Sequence, residues 1–193
     1  MRRNAKSMKL CITTILLLAS SVCVGRAAAQ GVIVEKSEIR FVAKQLGAGV
    51  EGRFRKWKAD VAFLPQDPAH SKVVLDIDLG SVDLASDDTE RELRGALWFD
   101  TAKFPVAHFA STAVTDRGAG RYDIVGDLAI KGVTRPVIVP VIVHKDATGN
   151  ATAEGTFALK RLDYKVGTGQ WADTDTVAND VAIRVRMVLA PAK

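Results

Sequence analysis

Apolar and polar residues alternate along most of the chain after residue 30, and a period of two residues is typical of half-buried β-strands. The segment 72–79 shows this most clearly, because Leu75, Ile77 and Leu79 are separated by Asp76 and Asp78. Similar segments span residues 39–44, 50–57, 58–63, 107–114, 122–130, 137–143, 152–160 and 181–189. Turns rich in Gly, Pro and Asp join most of them, so the sequence predicts an all-β fold, an antiparallel barrel or sandwich.

We favour an extended antiparallel barrel of about eight strands, because the strands are long and glycines interrupt their inward faces. Gly52, Gly126 and Gly155 occupy such inward positions. Glycine there either lets a strand bend at a barrel corner or leaves space inside. The same glycines are equally compatible with bulges around a filled core.

The segment 87–103 carries the signals of a helix. Asp87 or Asp88 can cap its first turn, because a carboxylate accepts the free backbone N–H groups there. Leu93 and Leu97 are four residues apart and would share one face, and Pro105 ends the helix before it. We expect this short insert to cover an open end of the barrel.

The first 29 residues resemble a secretory signal. Four basic residues lie within positions 2–9, an apolar run follows at 10–24, and Ala27 to Ala29 offer a cleavage site that leaves Gln30 at the new N-terminus. The Arg2-Arg3 pair suggests a twin-arginine signal and Cys23 a lipid-attachment site, but the neighbouring residues fit neither as well. We therefore predict a signal peptide at 1–29 and one β-barrel domain at 30–193.

Loss of this segment changes the charge and the cysteine content. Five of the 27 basic residues and none of the 22 acidic ones lie in it, so the remaining chain carries 22 of each, for a net charge of zero. Binding to nucleic acid by counterion release needs a basic surface, so this class of partner is disfavoured. Cys11 and Cys23 leave as well, so the mature chain forms no disulfide.

Catalytic and metal-binding patterns are missing from the sequence. His70, His108 and His144 are more than thirty residues apart and show no metal-ligand spacing. The nucleophile motif GxSxG is absent, and the paired acids at 76/78 and 173/175 fit a solvated strand face. We therefore predict no cofactor, no metal and no enzyme.

The inward face is then the candidate site. Its apolar side chains either fill a core or line a tunnel for a long apolar ligand, and alternation alone more simply indicates the filled core. The candidate tunnel residues are Ile39, Phe41, Phe54, Phe63, Leu75, Ile77, Phe109, Ile124, Leu128, Phe157, Val181 and Ile183.

A set of short motifs resembles the YceI-like family of secreted bacterial proteins and follows the order of that family. In chain order they are Gly52-x-Phe54-x-x-Trp57, Leu93-Arg94-Gly95, Trp98-Phe99-Asp100, Phe104-Pro105-x-Ala107-x-Phe109-x-Ser111, Gly126-x-Leu128, Lys131-Gly132-Val133-Thr134-Arg135-Pro136, Arg161-x-Asp163-Tyr164, Gly167-x-Gly169-x-Trp171 and Asp180-Val181. The likeness spans nearly the whole chain after the signal. Two features depart from the family: residues 88–92 lack a histidine that many members carry, and Tyr164 stands where phenylalanine is common.

The resemblance implies a lipocalin-like β-barrel that carries polyisoprenoid or related long-chain amphiphiles in the periplasm. Some relatives accompany cytochrome b561-type membrane proteins, which implies such a protein as a partner. The ligand's head group would lie at the opening of the barrel, and our candidates for that opening are Arg94, Trp98, Phe99, Lys131, Arg161 and Trp171.

The function predicted from the sequence is therefore a periplasmic carrier of a long-chain isoprenoid or similar apolar amphiphile. The alternatives are a lipid-modifying isomerase or hydrolase that uses the same pocket, and a protein with a filled core that acts through its surface. The polar faces of exposed strands leave open whether two copies form a homodimer.

Overall fold

The computed structural model describes residues 30–191 and confirms the all-β prediction. Its ten strands and one helix are β1 (Glu38–Gln45), β2 (Ala48–Phe54), β3 (Trp57–Ala62), β4 (Lys72–Asp78), β5 (Val82–Asp83), α1 (Asp87–Arg94), β6 (Val106–Gly118), β7 (Arg121–Ile130), β8 (Val133–Lys145), β9 (Ala151–Lys160) and β10 (Asp180–Leu189). Short 3-10 helices lie at Val34–Lys36, Pro68–His70, Leu79–Ser81, Arg161–Tyr164 and Gly169–Trp171. The predicted signal peptide at 1–29 lies outside the described residues.

All ten strands belong to one antiparallel sheet, in the order β3-β4-β6-β7-β8-β9-β10-β1-β2-β5, which curls into a half-barrel. Strands β2 and β3 lie near opposite ends of this order, yet only Arg55 and Lys56 separate them in the chain. One continuous segment therefore connects the two ends of the sheet. The alternating segments include both strands of this bend, at 50–57 and 58–63, and the strand that they omit is β5, which is too short to show alternation.

The N-terminal segment pairs with β3 and β10 at one end of the barrel. The main-chain N–H of Gln30 donates to the carbonyl of Val61 on β3 at 2.7 Å, and Val32 forms a bridge with Leu189 on β10. Residues 30–33 thus pair with the sheet at the end where β3 and β10 finish. We call residues 30–33 and the loop 63–71, which follows β3 at that end, the floor.

Helix α1 lies at the opposite end, together with the loop that precedes β10. The main-chain N–H groups of Gly167 and Thr168 both donate to the carbonyl of Leu97 at 2.9 Å. The indole N–H of Trp171 donates to a carboxylate oxygen of Glu92 at 2.9 Å. We call these two connected segments, residues 86–104 and 161–178, the mouth.

The helix ends earlier than the predicted 87–103. Gly95 has an extended backbone and donates its N–H to Glu92, which terminates α1 at Arg94. Residues 95–103 continue as turns, in which Asp100 adopts a φ of +50°. Leu97 therefore does not share a helix face with Leu93, and 38% of its surface is exposed.

The helix also begins with a different cap from the predicted Asp87 or Asp88. The hydroxyl of Ser86 accepts the main-chain N–H of Thr89 at 3.3 Å and its hydroxyl at 3.0 Å. The two aspartates occupy the first turn, where their charge suits the helix dipole. Within residues 30–191, no helix is long and apolar enough to cross a bilayer.

We expect Ser86→Ala to lower the free energy of unfolding by about 1 kcal/mol, because it removes the acceptor at the start of α1. Ser86→Asp is the matched control: it keeps an acceptor there and should retain most of the stability. Urea denaturation of the three proteins provides the measurement. An equal loss in both variants would contradict the capping role.

Candidate apolar cavity

The curled sheet encloses a cavity of about 460 Å³, so the interior is hollow. Its lining comes from the inward faces of the long strands and from the mouth. The structure places all twelve tunnel candidates on this lining: Ile39, Phe41, Phe54, Phe63, Leu75, Ile77, Phe109, Ile124, Leu128, Phe157, Val181 and Ile183. This size lies within the range of pockets that hold small molecules.

Glycines on the inner wall keep the cavity open. Phe41 on β1 lies directly across from Gly52 on β2, and a Cβ at Gly52 would fall 2.4 Å from the Cζ of that ring. A Cβ at Gly126 would likewise fall 2.6 Å from the ring of Phe109. The two phenyl rings therefore lie against the wall where side chains are missing, and they occupy less of the interior.

The bulge interpretation of the glycines also holds at one of them. The β6–β7 register shifts between Ser111 and Ala113, and Ser111 pairs with Gly126. A bulge and a seated phenyl ring therefore coincide at this glycine, and the core around it remains unfilled.

The lining is polar at the mouth and almost entirely apolar toward the floor. Asp88, Thr89, Glu92 and Arg161 contribute to the lining from the mouth. Lys44 and Gln45 lie next to them, since Gln45 forms a bridge with Val177. An elongated amphiphile would therefore fit with its apolar end toward the floor and its polar end at the mouth.

The lining toward the floor carries two hydroxyl-bearing side chains. Ser71 is buried, and its hydroxyl accepts the main-chain N–H of Leu64 at 2.9 Å. Tyr122 packs edge-on against Phe63 with ring centroids 5.1 Å apart, and burial raises the pKa of its phenol. Both groups remain neutral, so this end of the cavity lacks charge.

Arg161 holds the mouth loop from the inside. Only 2% of its surface is exposed, and burial lowers the pKa of its guanidinium. Its five N–H groups donate to five main-chain carbonyls at 2.6–3.1 Å: those of Val166, Gly167, Trp171, Val177 and Ala178. Arg161 lines the cavity, but it has no free N–H group for the predicted contact with a ligand head group.

Trp98, Phe99 and Trp171 line the cavity at the mouth, where the sequence analysis placed them. The ring centroids of the two tryptophans are 5.6 Å apart. The guanidinium carbon of Arg161 lies 5.7 Å from the centroid of the Trp98 ring, within the range of a cation–π contact. These aromatic groups and the arginine form one packed layer across the mouth.

Arg94 and Lys131 lie outside the lining, although we had predicted them at the opening. Arg94 pairs with Glu90 at 2.9 Å and donates to the carbonyl of Gly80. The ammonium of Lys131 donates to the carbonyls of Ala96 and Lys165 at 2.8 and 2.9 Å. Both cations join segments near the mouth, and hydrogen bonds to those segments orient them away from the cavity.

Burial lowers the pKa of Lys131.

Tyr164 is a lining residue that the inward alternation missed. It belongs to a 3-10 helix, where no period of two exists, and 2% of its surface is exposed. Burial raises the pKa of its phenol, which keeps it neutral.

The histidines and acids form no metal site within residues 30–191. His108 contacts Asp76 at 2.6 Å and His70 contacts Asp67 at 2.7 Å, and all four side chains are about half exposed or more. These pairs lie outside the cavity lining.

The model of the YceI-like domain matches residues 32–189, which include every strand of the sheet. The chain belongs to the YceI-like family. The motifs that suggested the resemblance lie mainly at the mouth and at the glycines that seat phenyl rings.

Bacterial relatives agree with this assignment. UPF0312 protein VVA0736 of Vibrio vulnificus is 32% identical over 176 residues, which cover 85% of this YceI-like chain and 93% of the relative. The crystal structure of BcnA from Burkholderia cenocepacia is 36% identical, with a TM-score of 0.80, and the match covers 83% of this chain and all of that one.

A second solved structure shows the same fold at low identity. It is a polyisoprenoid binding domain from Saccharophagus degradans implicated in plant cell wall breakdown. The two chains are 17% identical, the TM-score is 0.69, and the match covers 86% of this chain and 99% of that one.

We expect Gly52→Ala to weaken binding of an apolar fluorescent dye such as anilinonaphthalene sulfonate about tenfold, or about 1.4 kcal/mol. The new methyl group pushes the ring of Phe41 into the cavity. Gly49→Ala, on the same strand, is the matched control because a Cβ there meets nothing within 4 Å. Equal dye affinity in both variants would show that the position of the Phe41 ring does not depend on Gly52.

Arg161→Met should lower the free energy of unfolding by about 3 kcal/mol, because it leaves buried carbonyls without donors. Arg135→Met serves as the control: Arg135 is exposed and makes one hydrogen bond, to the carbonyl of Asp163. We expect a change within about 0.5 kcal/mol for it in urea denaturation. Similar losses in the two variants would contradict an internal anchor at Arg161.

Proposed function

We propose that this YceI-like protein is a carrier that holds one long apolar chain, such as an isoprenoid, in its cavity and releases it unchanged. The observation that carries the proposal is the 460 Å³ cavity, whose largely apolar lining carries charge only at the mouth. Burial of apolar surface stabilises a complex by about 25 cal/mol per Å². An extended hydrocarbon chain can therefore bind by desolvation without a covalent step.

The Saccharophagus degradans structure supports this proposal by its description as a polyisoprenoid binding domain. That description concerns the other protein, and at 17% identity the likeness itself extends to the fold. The lining of the present cavity adds an independent argument, since its twelve predicted residues are all apolar and all meet the same enclosed space.

An isomerase or hydrolase in the same cavity is the rival function, and it needs a free acid or base beside the ligand. Two acids line the mouth. Glu92 accepts the indole N–H of Trp171, and Asp88 pairs with Arg91 at 2.8 Å. Because both carboxylates already have partners, the arrangement favours a carrier over an enzyme.

We further propose the periplasm as the location, on the strength of the signal-like segment at 1–29. The association with a cytochrome b561-type membrane protein and the pairing of two copies stay predictions. Two-hybrid or co-purification experiments and sedimentation of the mature protein address them.

Ile124→Trp should abolish the co-purification of a lipid with the protein, because the large ring fills the middle of the cavity from β7. Val125→Trp is the matched control: the neighbouring residue on the same strand lies outside the lining. Each protein is purified without detergent from the cells that produce it. Native mass spectrometry then measures the mass of any bound lipid.

Three outcomes separate the hypotheses for this cavity. An unmodified lipid on the wild-type protein and on Val125→Trp, but not on Ile124→Trp, supports the carrier. A chemically altered lipid indicates the enzyme. No bound mass on the wild-type protein, together with no binding of added isoprenoids, refutes the proposed function.

A further inference from the structure

One buried donor in the mouth has no acceptor. Trp98 is 9% exposed, and its indole nitrogen, Nε1, has no hydrogen-bond partner among the described residues. A buried donor without an acceptor costs free energy of folding, so such groups are rare and need an explanation. The neighbouring Trp171 differs, because its indole N–H donates to Glu92 at 2.9 Å.

The orientation of the Trp98 ring separates its N–H from the mouth loop. A Cβ at Gly167 would lie 3.0 Å from Cζ3 and 3.1 Å from Cη2 of the ring, so the benzene edge faces the loop. Nε1 lies on the far side of the indole from these two carbons. The Trp98 side chain also lines the cavity, so it lies between the mouth loop and the interior. The unpaired N–H of Nε1 therefore belongs to a cavity-lining residue.

The positive charge beside Trp98 also favours a hydrogen-bond acceptor as the ligand group. The guanidinium of Arg161 is 5.7 Å from the ring centroid, and within residues 30–191 no carboxylate lies within 4 Å of it. Its five N–H groups are all used by carbonyls, which satisfy the donors but leave a net positive charge. In a poorly hydrated cavity, this charge attracts electronegative oxygen and repels a cationic amine.

We propose, on the basis of the carrier function, that the polar end of the ligand presents a carbonyl or phosphoryl oxygen that accepts a hydrogen bond from Nε1 of Trp98. Trp98 is then a specificity-determining residue. Arg161 contributes through its charge alone. Nε1 is fully buried in the ligand-free protein, so the proposal requires that a neighbouring side chain move aside when the oxygen binds.

The indole N–H resonances of the three tryptophans provide a direct test. The mature protein is labelled with ¹⁵N, and the resonances of Trp57, Trp98 and Trp171 are assigned by single Phe substitutions. Three probes are then titrated: geranylgeranylacetone as the carbonyl, geranylgeranyl phosphate as the phosphoryl group, and the hydrocarbon phytane, which has no oxygen. Their chains are of similar length, so they differ mainly in the head group.

We expect the Trp98 resonance to move downfield with one or both oxygen-bearing probes and to stay in place with phytane. Trp57 lies outside the cavity lining and serves as the internal reference. A shift with the ketone alone identifies a carbonyl ligand, and a shift with the phosphate alone identifies a phosphoryl ligand.

Affinities give a second readout. Trp98→Phe should weaken binding of the effective oxygen-bearing probe about fivefold to tenfold, as expected for one hydrogen bond. Phytane binding should change less than twofold, which controls for the smaller ring. The resonance shift is measured on the wild-type protein, so it remains decisive even if the variant fails to fold.

The results distinguish this inference from the carrier function. If all three probes bind and the Trp98 resonance responds to none of them, or equally to all, the hydrogen bond is refuted while the carrier stands. If no probe perturbs the cavity residues of the wild-type protein, the carrier function fails.

Discussion

The buried guanidinium of Arg161 is the interaction on which the mouth of the barrel depends. A loop of this length needs partners for its carbonyls, and solvation is not available where it crosses the end of a cavity. One planar side chain with five donors supplies them from the inside, without filling the space beyond. Lysine has three donors on a single atom and could not reach five carbonyls arranged around a plane. The path of the mouth loop follows from this arrangement.

A second constraint concerns the interior, which most domains of this size fill with side chains. Here Phe41 and Phe109 lie against glycines on the neighbouring strands, so their rings add apolar surface to the wall at little cost in volume. Phe54 links this wall to the mouth, with ring centroids 5.6 Å from Phe41 and 6.1 Å from Phe99. The protein thus buries the apolar surface of its aromatic residues and still leaves space for a ligand.

The sequence predicted the fold and the lining well because both depend on a period of two. Phe54 and Ile77, for example, line the cavity, and each has a charged residue on both sides in the sequence. The hollow interior was not predictable, since it depends on the cross-strand register that sets Phe41 against Gly52. The mouth was predicted only in part. The sequence does not distinguish Arg94, Lys131 and Arg161 from one another. The carbonyl groups that accept hydrogen bonds from these side chains come from distant segments.

The charged groups of the cavity lining lie at one end only, at the mouth. An amphiphile held with its polar end there would enter tail first and leave head first through the same opening. Donor and acceptor would therefore meet the same face of the protein, one after the other. Collection and delivery would then be separated in time by a rotation of the whole molecule, instead of taking place at two ends of one tube.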